Sequence, residues 1–191
     1  LPKGIDQRSA CRHPDWTGPD DLAIKITELR EITQWKVPIF VKIAGSRPYY
    51  DTALAVKAGA DVVVLDGMQG GTAATQEVFI ENVGQPTLAC IRPAVDALQD
   101  LNMHREVQLI ISGGIRNGAD VSKAIALGAD AVSIGSAAMI ALGDNDPKWQ
   151  KEYMKLGSEA GAYDDWHEGN DPAGITTQEP KLMKRLDPIK A

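Results

Sequence analysis

Apolar positions along this chain fall into two alternating rhythms. "GPDDLAIKITELREITQW" opens with helix-start chemistry: Pro19, Asp20 and Asp21 favour an N-terminus, and Leu22, Ile26, Leu29 and Ile32 lie on one stripe. "VPIFVKI" (Val37–Ile43) is β-branched and nearly all apolar, the pattern of a strand buried on both faces. "YDTALAVKAGA" predicts a helix ending at Gly59, and "DVVVLDG" the next strand. "TLACIRPAVDALQDLNM" has a helical pattern, kinked or started by Pro93. "VQLIIS", "ADVSKAIALG" and "DAVSIG" give strand, helix and strand, and "SAAMIALG" one more short helix. Residues 1–18 are rich in turn formers and read as a long loop, and "QEPKLMKRLDPIKA" as a polar helix or tail.

The pattern repeats. Shifted by 69 positions, "VKIAGSRPYYDTALAVKAGADVVVLDG" lies on "IISGGIRNGADVSKAIALGADAVSIGS". Gly45, Arg47, Asp51, Ala55, Gly59, Ala60, Asp61 and Val63 then fall on Gly114, Arg116, Asp120, Ala124, Gly128, Ala129, Asp130 and Val132. Each copy is a strand–helix–strand unit with buried strands, which predicts a parallel (β/α)8 TIM-type barrel within the α/β class. A whole barrel needs roughly 250 residues. Four strands make this its C-terminal half, over residues 1–145, with 146–191 as a C-terminal extension. An open doubly wound sheet is the alternative.

Composition narrows the function classes. The net charge is −6 and aromatic residues make up 5% of the chain. That balance disfavours nucleic acid and anionic membranes. The longest uncharged run, Ala131 to Gly143, is too short to span a bilayer. Cys11 and Cys90 have neither framework nor metal spacing and read as plain thiols, so a reducing cytoplasm is the default expectation. The acidic run "YDDWHEGND" lacks calcium-loop spacing, and no metal is expected. His104 reads as a surface residue and His167 as structural.

Candidate chemistry gathers where strands end. In a (β/α) barrel the loops after the last two strands often hold a phosphate. Gly113-Gly114 ends one such strand and Gly135-Ser136 the next. Without Cβ atoms their amides can approach an anion, and Ser136 can add a hydroxyl. Lys42 interrupts an apolar run near a strand end, and a lysine there is costly unless something negative faces it. The same rim carries Asp66, Gly67 and "GGTAA" (Gly70–Ala74), where glycine admits a flat ring or a substrate carboxylate. Arg47 and Arg116 follow equivalent strands of the two repeats.

"VKIAGSRPYYDTALAVKAGADVVVLDGMQGGTAA", "ISGGIRNGADV" and "IGSAAMIALG", in that order, resemble the FMN-binding barrel of glutamate synthases. The loop "GIDQRSACRHPDWTGPDDL" resembles that family's substrate-side loop, with Ser9, His13 and Asp15 on matching positions. The resemblance implies FMN under the rim, its phosphate at Gly113, Gly114, Gly135 and Ser136. It puts Lys42 near flavin and substrate, and Gly70, Gly71 and Thr72 along the flavin. Asp66 and Gly67 share that cofactor rim. Lys42, Ser9 and His13 become the catalytic candidates, and Ser9, His13 and Arg47 the substrate-binding ones.

One departure is plain. "AGAYDDWHEGNDPAGITTQ" matches the segment in which glutamate synthases carry three cysteines for a [3Fe–4S] cluster. Ala160, Trp166 and Asp171 stand in those places, and none offers a thiolate. No iron–sulfur cluster is therefore expected. This cysteine-free version looks most like the FMN subunits of methylamine–glutamate N-methyltransferases, which exchange ammonia for methylamine on glutamate through an imine. The implied reactants are glutamate or 2-oxoglutarate and a small amine. The implied partners are a glutamine-amidotransferase-like subunit and a third one, in a hetero-oligomer. A glutamate synthase proper and a non-catalytic barrel paralogue are the alternatives.

Overall fold

A computed structural model of the chain describes residues 13–70, 81–144, 146–157, 169–187 and 189. They form two compact units that divide between Ser133 and Ile134.

The first unit holds α1 (Pro19–Ile32), β1 (Phe40–Ala44), α2 (Pro48–Lys57), β2 (Val62–Asp66), α3 (Thr87–Asp100), β3 (Gln108–Ser112), α4 (Gly118–Ala126) and β4 (Ala131–Ser133). The four strands pair in parallel in the order β1-β2-β3-β4. A doubly wound sheet reverses its strand order at a switch point. These strands follow chain order without reversal, the winding of a (β/α) barrel. The observed architecture is thus α/β with a parallel sheet, consistent with part of a TIM-type domain. Among the described residues no helix is long and apolar enough to cross a membrane.

Among the described residues of this unit, helices cover one face of the sheet. Val63, Leu65, Leu109 and Ile111 are fully buried against Ala55, Cys90, Ile91, Ala94, Val95, Leu98 and Ala124 of α2, α3 and α4. Alanines at the contact let helices and strands approach closely. The two-residue period of the strands therefore sends Lys42, Val64, Asp66, Ile110 and Ser112 to the other face.

Three sequence expectations are corrected here. The strand Val37–Ile43 is not buried on both faces. β1 alternates between exposed and half-buried residues, and Phe40 is 54% exposed. Among the described residues it has a strand neighbour on one side only, so neither its outer edge nor its open face is covered. In α1 the stripe is only partly used: Ile26 is buried with Ile39 and Ala58, while Leu29 and Ile32 are exposed. Pro93 lies inside α3, six residues past its start. The helix is pinned there by a buried face running from Thr87 to Leu98, which outweighs the backbone hydrogen bond that proline removes.

The two aspartates matched by the 69-residue shift play the same part in each copy, through partners that lie at other spacings. Asp61 and Asp130 each precede a strand and accept from the backbone of an adjacent one: Ile39 N–H at 2.7 Å, and Leu109 N–H at 2.8 Å. Each also pairs with an arginine, Arg30 at 2.9 Å and Arg105 respectively. The Arg30 guanidinium, aided by the Ile39 amide and opposed by burial, holds the Asp61 carboxyl below its ordinary value. Beside the second pair, His104 is half-buried rather than on the surface, and its Nε2 is buried without a partner among the described residues.

The second unit contains α5 (Ser136–Ala141), a 3-10 turn (Pro147–Trp149), α6 (Gln150–Lys155) and α7 (Pro180–Met183). It is built around Tyr153 and Asp171, both fully buried. The Tyr153 hydroxyl lies 2.7 Å from Asp171 Oδ1 and 3.4 Å from Asp144 Oδ1. One hydroxyl proton serves two carboxyls, and distance assigns it to Asp171. Burial, and then the Asp171 charge, push the Asp144 carboxyl above its ordinary value, only partly offset by Tyr153. The Gly174 backbone, at φ +80, passes Leu182 so closely that a Cβ would lie 2.3 Å from its carbonyl oxygen. Arg185 donates to the Pro172 carbonyl at 2.9 Å and pairs with Glu152 at 2.8 Å, closing the unit.

Two predictions follow from this packing. Leu109→Ala should cost about 2–5 kcal/mol of unfolding free energy in urea titrations. Leu29→Ala should change it by less than about 1 kcal/mol, although both positions look equally apolar in sequence. A carboxyl whose folded pKa is raised stabilises the fold most below its unfolded pKa, and that contribution is lost as pH rises through the folded value. Asp144→Asn should therefore raise the thermal midpoint relative to the parent at about pH 8, and lose that advantage near about pH 4.

Candidate functional site

The ends of the parallel strands carry two cross-strand rows. Ala44, Asp66, Ser112 and Ser133 share the last level, and Lys42, Val64, Ile110 and Ala131 the level beneath. Lys42 Nζ reaches Asp66 Oδ2 at 3.0 Å. The lysine side chain is 62% exposed and that of Asp66 only 13%. The costly lysine of the sequence reading is thus an open ammonium on the uncovered face, paired with a carboxylate from the next strand. Asp66 Oδ1 is buried and has no hydrogen-bond partner among the described residues. An unsatisfied buried acceptor is destabilising, so this oxygen marks the strand end as a place of unmet polar demand among the described residues.

The glycines of the rim divide into two kinds. The Gly67 amide donates to Ser112 O at 3.1 Å and the Gly70 amide to Gly67 O at 2.9 Å. Both donors are engaged within the protein. The missing side chains make room for neighbours: a Cβ at Gly67 would lie 2.4 Å from Thr87 Cα, and one at Gly70 would lie 1.7 Å from Asp66 Oδ1. Gly113 and Gly114 differ. Both have left-handed backbone, φ +102 and +72, and their amides donate to no group of the described residues. Backbone amides left uncommitted in a turn at a strand end are suited to an anion. Size is also restricted there, since a Cβ at Gly113 would lie 2.7 Å from Gly70 N and one at Gly114 3.0 Å from Gln69 Cβ.

Gln69 and Thr87 escaped the sequence reading. Gln69 Oε1 accepts from both the backbone amide and the hydroxyl of Thr87, at 2.8 and 2.9 Å. This satisfies an orphan amide at the start of α3 and clasps the loop after β2 to that helix. The only available signal was a threonine after Pro86, where a helical pattern begins.

A cavity of about 350 Å³ opens beside the β3–α4 turn, lined in part by Gly113, Gly114, Gln69, Arg116, Lys123 and Ile91. Arg116 and Lys123 approach Asp120 at 3.3 and 3.8 Å. The Arg116 amide leads the groups that hold the Asp120 carboxyl below its ordinary value, and together they outweigh the opposing effect of burial. Arg47 makes the equivalent pair with Asp51 at 2.8 Å. In both repeats the arginine closes the first turn of the following helix.

His13 accepts from the Asp15 amide through Nδ1 at 3.1 Å and stacks on Trp16 at 4.0 Å. Gly135 precedes α5 and Ser136 opens it, in the second unit, and a Cβ on Gly135 would meet nothing within 4 Å. Ser9, Gly71 and Thr72 lie outside the described residues, as do Ala160 and Trp166.

Asp171, the third position matched to a cluster cysteine, is described and fully buried. Its Oδ1 accepts from the Tyr153 hydroxyl and from Ala173 N–H at 3.0 Å. Its Oδ2 accepts from the Ile175 and Thr176 amides, each at 2.8 Å. Burial pushes this carboxyl up, but the Thr176 amide, Tyr153, Ala173 and Ile175 together outweigh it, and the net shift is downward. Thr177 donates through its hydroxyl to the Gly169 carbonyl. Of the three matched positions, the one described thus holds a carboxylate engaged by four donors and not a thiolate.

Comparison with known proteins bears on these features. Residues 1–148 match the family described as the conserved region in glutamate synthase. The glutamate synthase large subunit-like protein of Rhizobium meliloti (strain 1021) is 82% identical over 191 residues, all of this chain and 43% of the relative. The archaeal glutamate synthase (NADPH) of Methanocaldococcus jannaschii is 42% identical over 189 residues, 98% of this chain and 34% of the relative. The chloroplastic ferredoxin-dependent glutamate synthase of Oryza sativa subsp. japonica is 33% identical over 184 residues, 96% of this chain and 10% of the relative. The chain spans less than half the length of each of these relatives. With its singly wound sheet and glycine-lined strand ends, it belongs to the glutamate synthase conserved-region family.

Proposed function

We propose that this chain is the cofactor-bearing half of an FMN-dependent (β/α)8 barrel that exchanges the amine of glutamate, converting methylamine and L-glutamate to N-methylglutamate and ammonia through an imine. The observation that carries the flavin assignment is the pairing of two features of one sheet. These are the uncommitted amides of Gly113 and Gly114 in a left-handed turn, and the open ammonium of Lys42 beside Asp66. Gly113 and Gly114 suit the FMN phosphate, the first two of the four residues assigned to it from sequence. Bound FMN would supply hydride chemistry, accepting reducing equivalents from the amino acid and returning them to the exchanged imine.

The chain's own groups do the rest. Lys42 places a positive charge where a substrate carboxylate or an electron-rich ring is held. Asp66 orients that ammonium through Oδ2, and Oδ1 remains free to accept a hydrogen bond. His13 and Ser9 are assigned to holding substrate or moving protons during exchange. A glutamine-amidotransferase-like subunit and a third subunit complete the proposed assembly.

Amine exchange consumes no net reductant, so it needs no cluster to carry electrons in. Asp171, engaged by four donors in place of a ligand cysteine, favours that version. A second reading is a glutamate synthase proper, aminating 2-oxoglutarate with reduced FMN. The relatives named for NADPH and for ferredoxin favour it.

The assay that separates them follows isotopically labelled methylamine into N-methylglutamate in the complete complex. Turnover without added reductant is expected; strict dependence on NADPH or ferredoxin returns the second reading. Lys42→Ala should lower kcat/KM roughly 100-fold or more while the protein keeps its yellow colour. Gly114→Val, which forces a side chain into left-handed backbone beside Gln69, should instead reduce FMN retention, read by flavin absorbance after gel filtration.

A further inference from the structure

The C-terminal unit differs most from what the family resemblance implies, and the difference has an internal explanation. A carboxylate offers about four acceptor positions. All four of Asp171's are taken: by the Tyr153 hydroxyl and Ala173 amide on Oδ1, and by the Ile175 and Thr176 amides on Oδ2. Three of these donors belong to the five residues that follow it in the chain. The carboxylate therefore folds its own turn, collecting backbone N–H groups that would otherwise be buried without acceptors. Pro172 and Ala173 are buried with it. Arg185 and Glu152 brace the turn from outside through the Pro172 carbonyl. No lone pair is left for a metal, and oxygen is a poor ligand for an iron–sulfide core beside thiolate.

We propose that Asp171 is an anionic staple that has replaced the cluster as the organiser of this loop, so that the segment closes around a carboxylate and takes up no iron. A cluster nucleates such a loop by drawing distant thiolates to one point. Here the same end is reached by one buried negative charge and four short hydrogen bonds, with Tyr153 linking the turn to α6. The inference rests on the packing of the second unit and not on the amine-exchange reading. Its test reads iron and loop integrity, so either can fail alone.

The intact protein is incubated anaerobically with ferrous iron and sulfide, desalted, and assayed for metal and acid-labile sulfide. Neither should be retained, and no visible charge-transfer band should appear. Asp171→Cys, which restores a thiol at the matched position, should still retain no iron. It should also speed proteolytic cleavage within the C-terminal unit at least roughly tenfold, because a thiol cannot satisfy four donors. Tyr153→Phe removes one of the four and should produce a smaller increase, so the two variants are graded if the staple is real. Stoichiometric iron and sulfide on the unaltered chain would overturn the proposal. So would an Asp171→Cys variant as protease-resistant as the parent.

Discussion

A parallel sheet packed under helices on one face is the constraint from which the rest of this structure follows. Helices bury Val63, Leu65, Leu109 and Ile111, and the strand period then leaves Lys42, Asp66, Ile110 and Ser112 on the opposite face. In a closed barrel that face becomes the interior, where layers of side chains from alternate strands fill the centre. Val64 and Ile110, neither buried nor fully exposed, stand on that face. A lysine can stand on this face only near the rim, where its ammonium meets water or a ligand, and its pairing with Asp66 puts it there.

Much of the fold was legible in the sequence because its signals are local. The 69-residue repeat announced two copies of one strand–helix–strand unit, and Gly59 and Gly128 end the two helices with left-handed backbone, at φ +102 and +114. Burial was less legible. "VPIFVKI" reads like "DVVVLDG", yet β2 has strands on both sides and β1 on one. Apolar content records what a segment buries in its final setting, including against chain that lies elsewhere. Leu29 and Ile32 of α1, exposed here, show the same ambiguity.

The site was legible as a set of glycines but not in what each glycine does. Sequence treats Gly67, Gly70, Gly113 and Gly114 alike, as places where a side chain is unwelcome. The structure separates a glycine that yields space to a neighbouring loop from one whose amide is still uncommitted. Gly67 yields to Thr87 and Gly70 to Asp66, and no short motif marks the Thr87–Gln69 clasp, because that contact joins two segments eighteen residues apart. The second class depends on backbone sign, which glycine permits but does not dictate.

The acidic balance of the chain finds its explanation in the same terms. A carboxylate is the strongest acceptor available for backbone N–H groups that secondary structure leaves unpaired. Asp61 and Asp130 receive amides at the starts of parallel strands, and Asp171 receives three in a turn of its own. These charges act inside the fold and need no external cation. Against that background Asp66 is the exception, since one of its oxygens is buried and accepts from no group among the described residues. Its other oxygen meets Lys42 at 3.0 Å, so the rim of the sheet is where a carboxylate of this chain is tied to an open ammonium and not to the backbone.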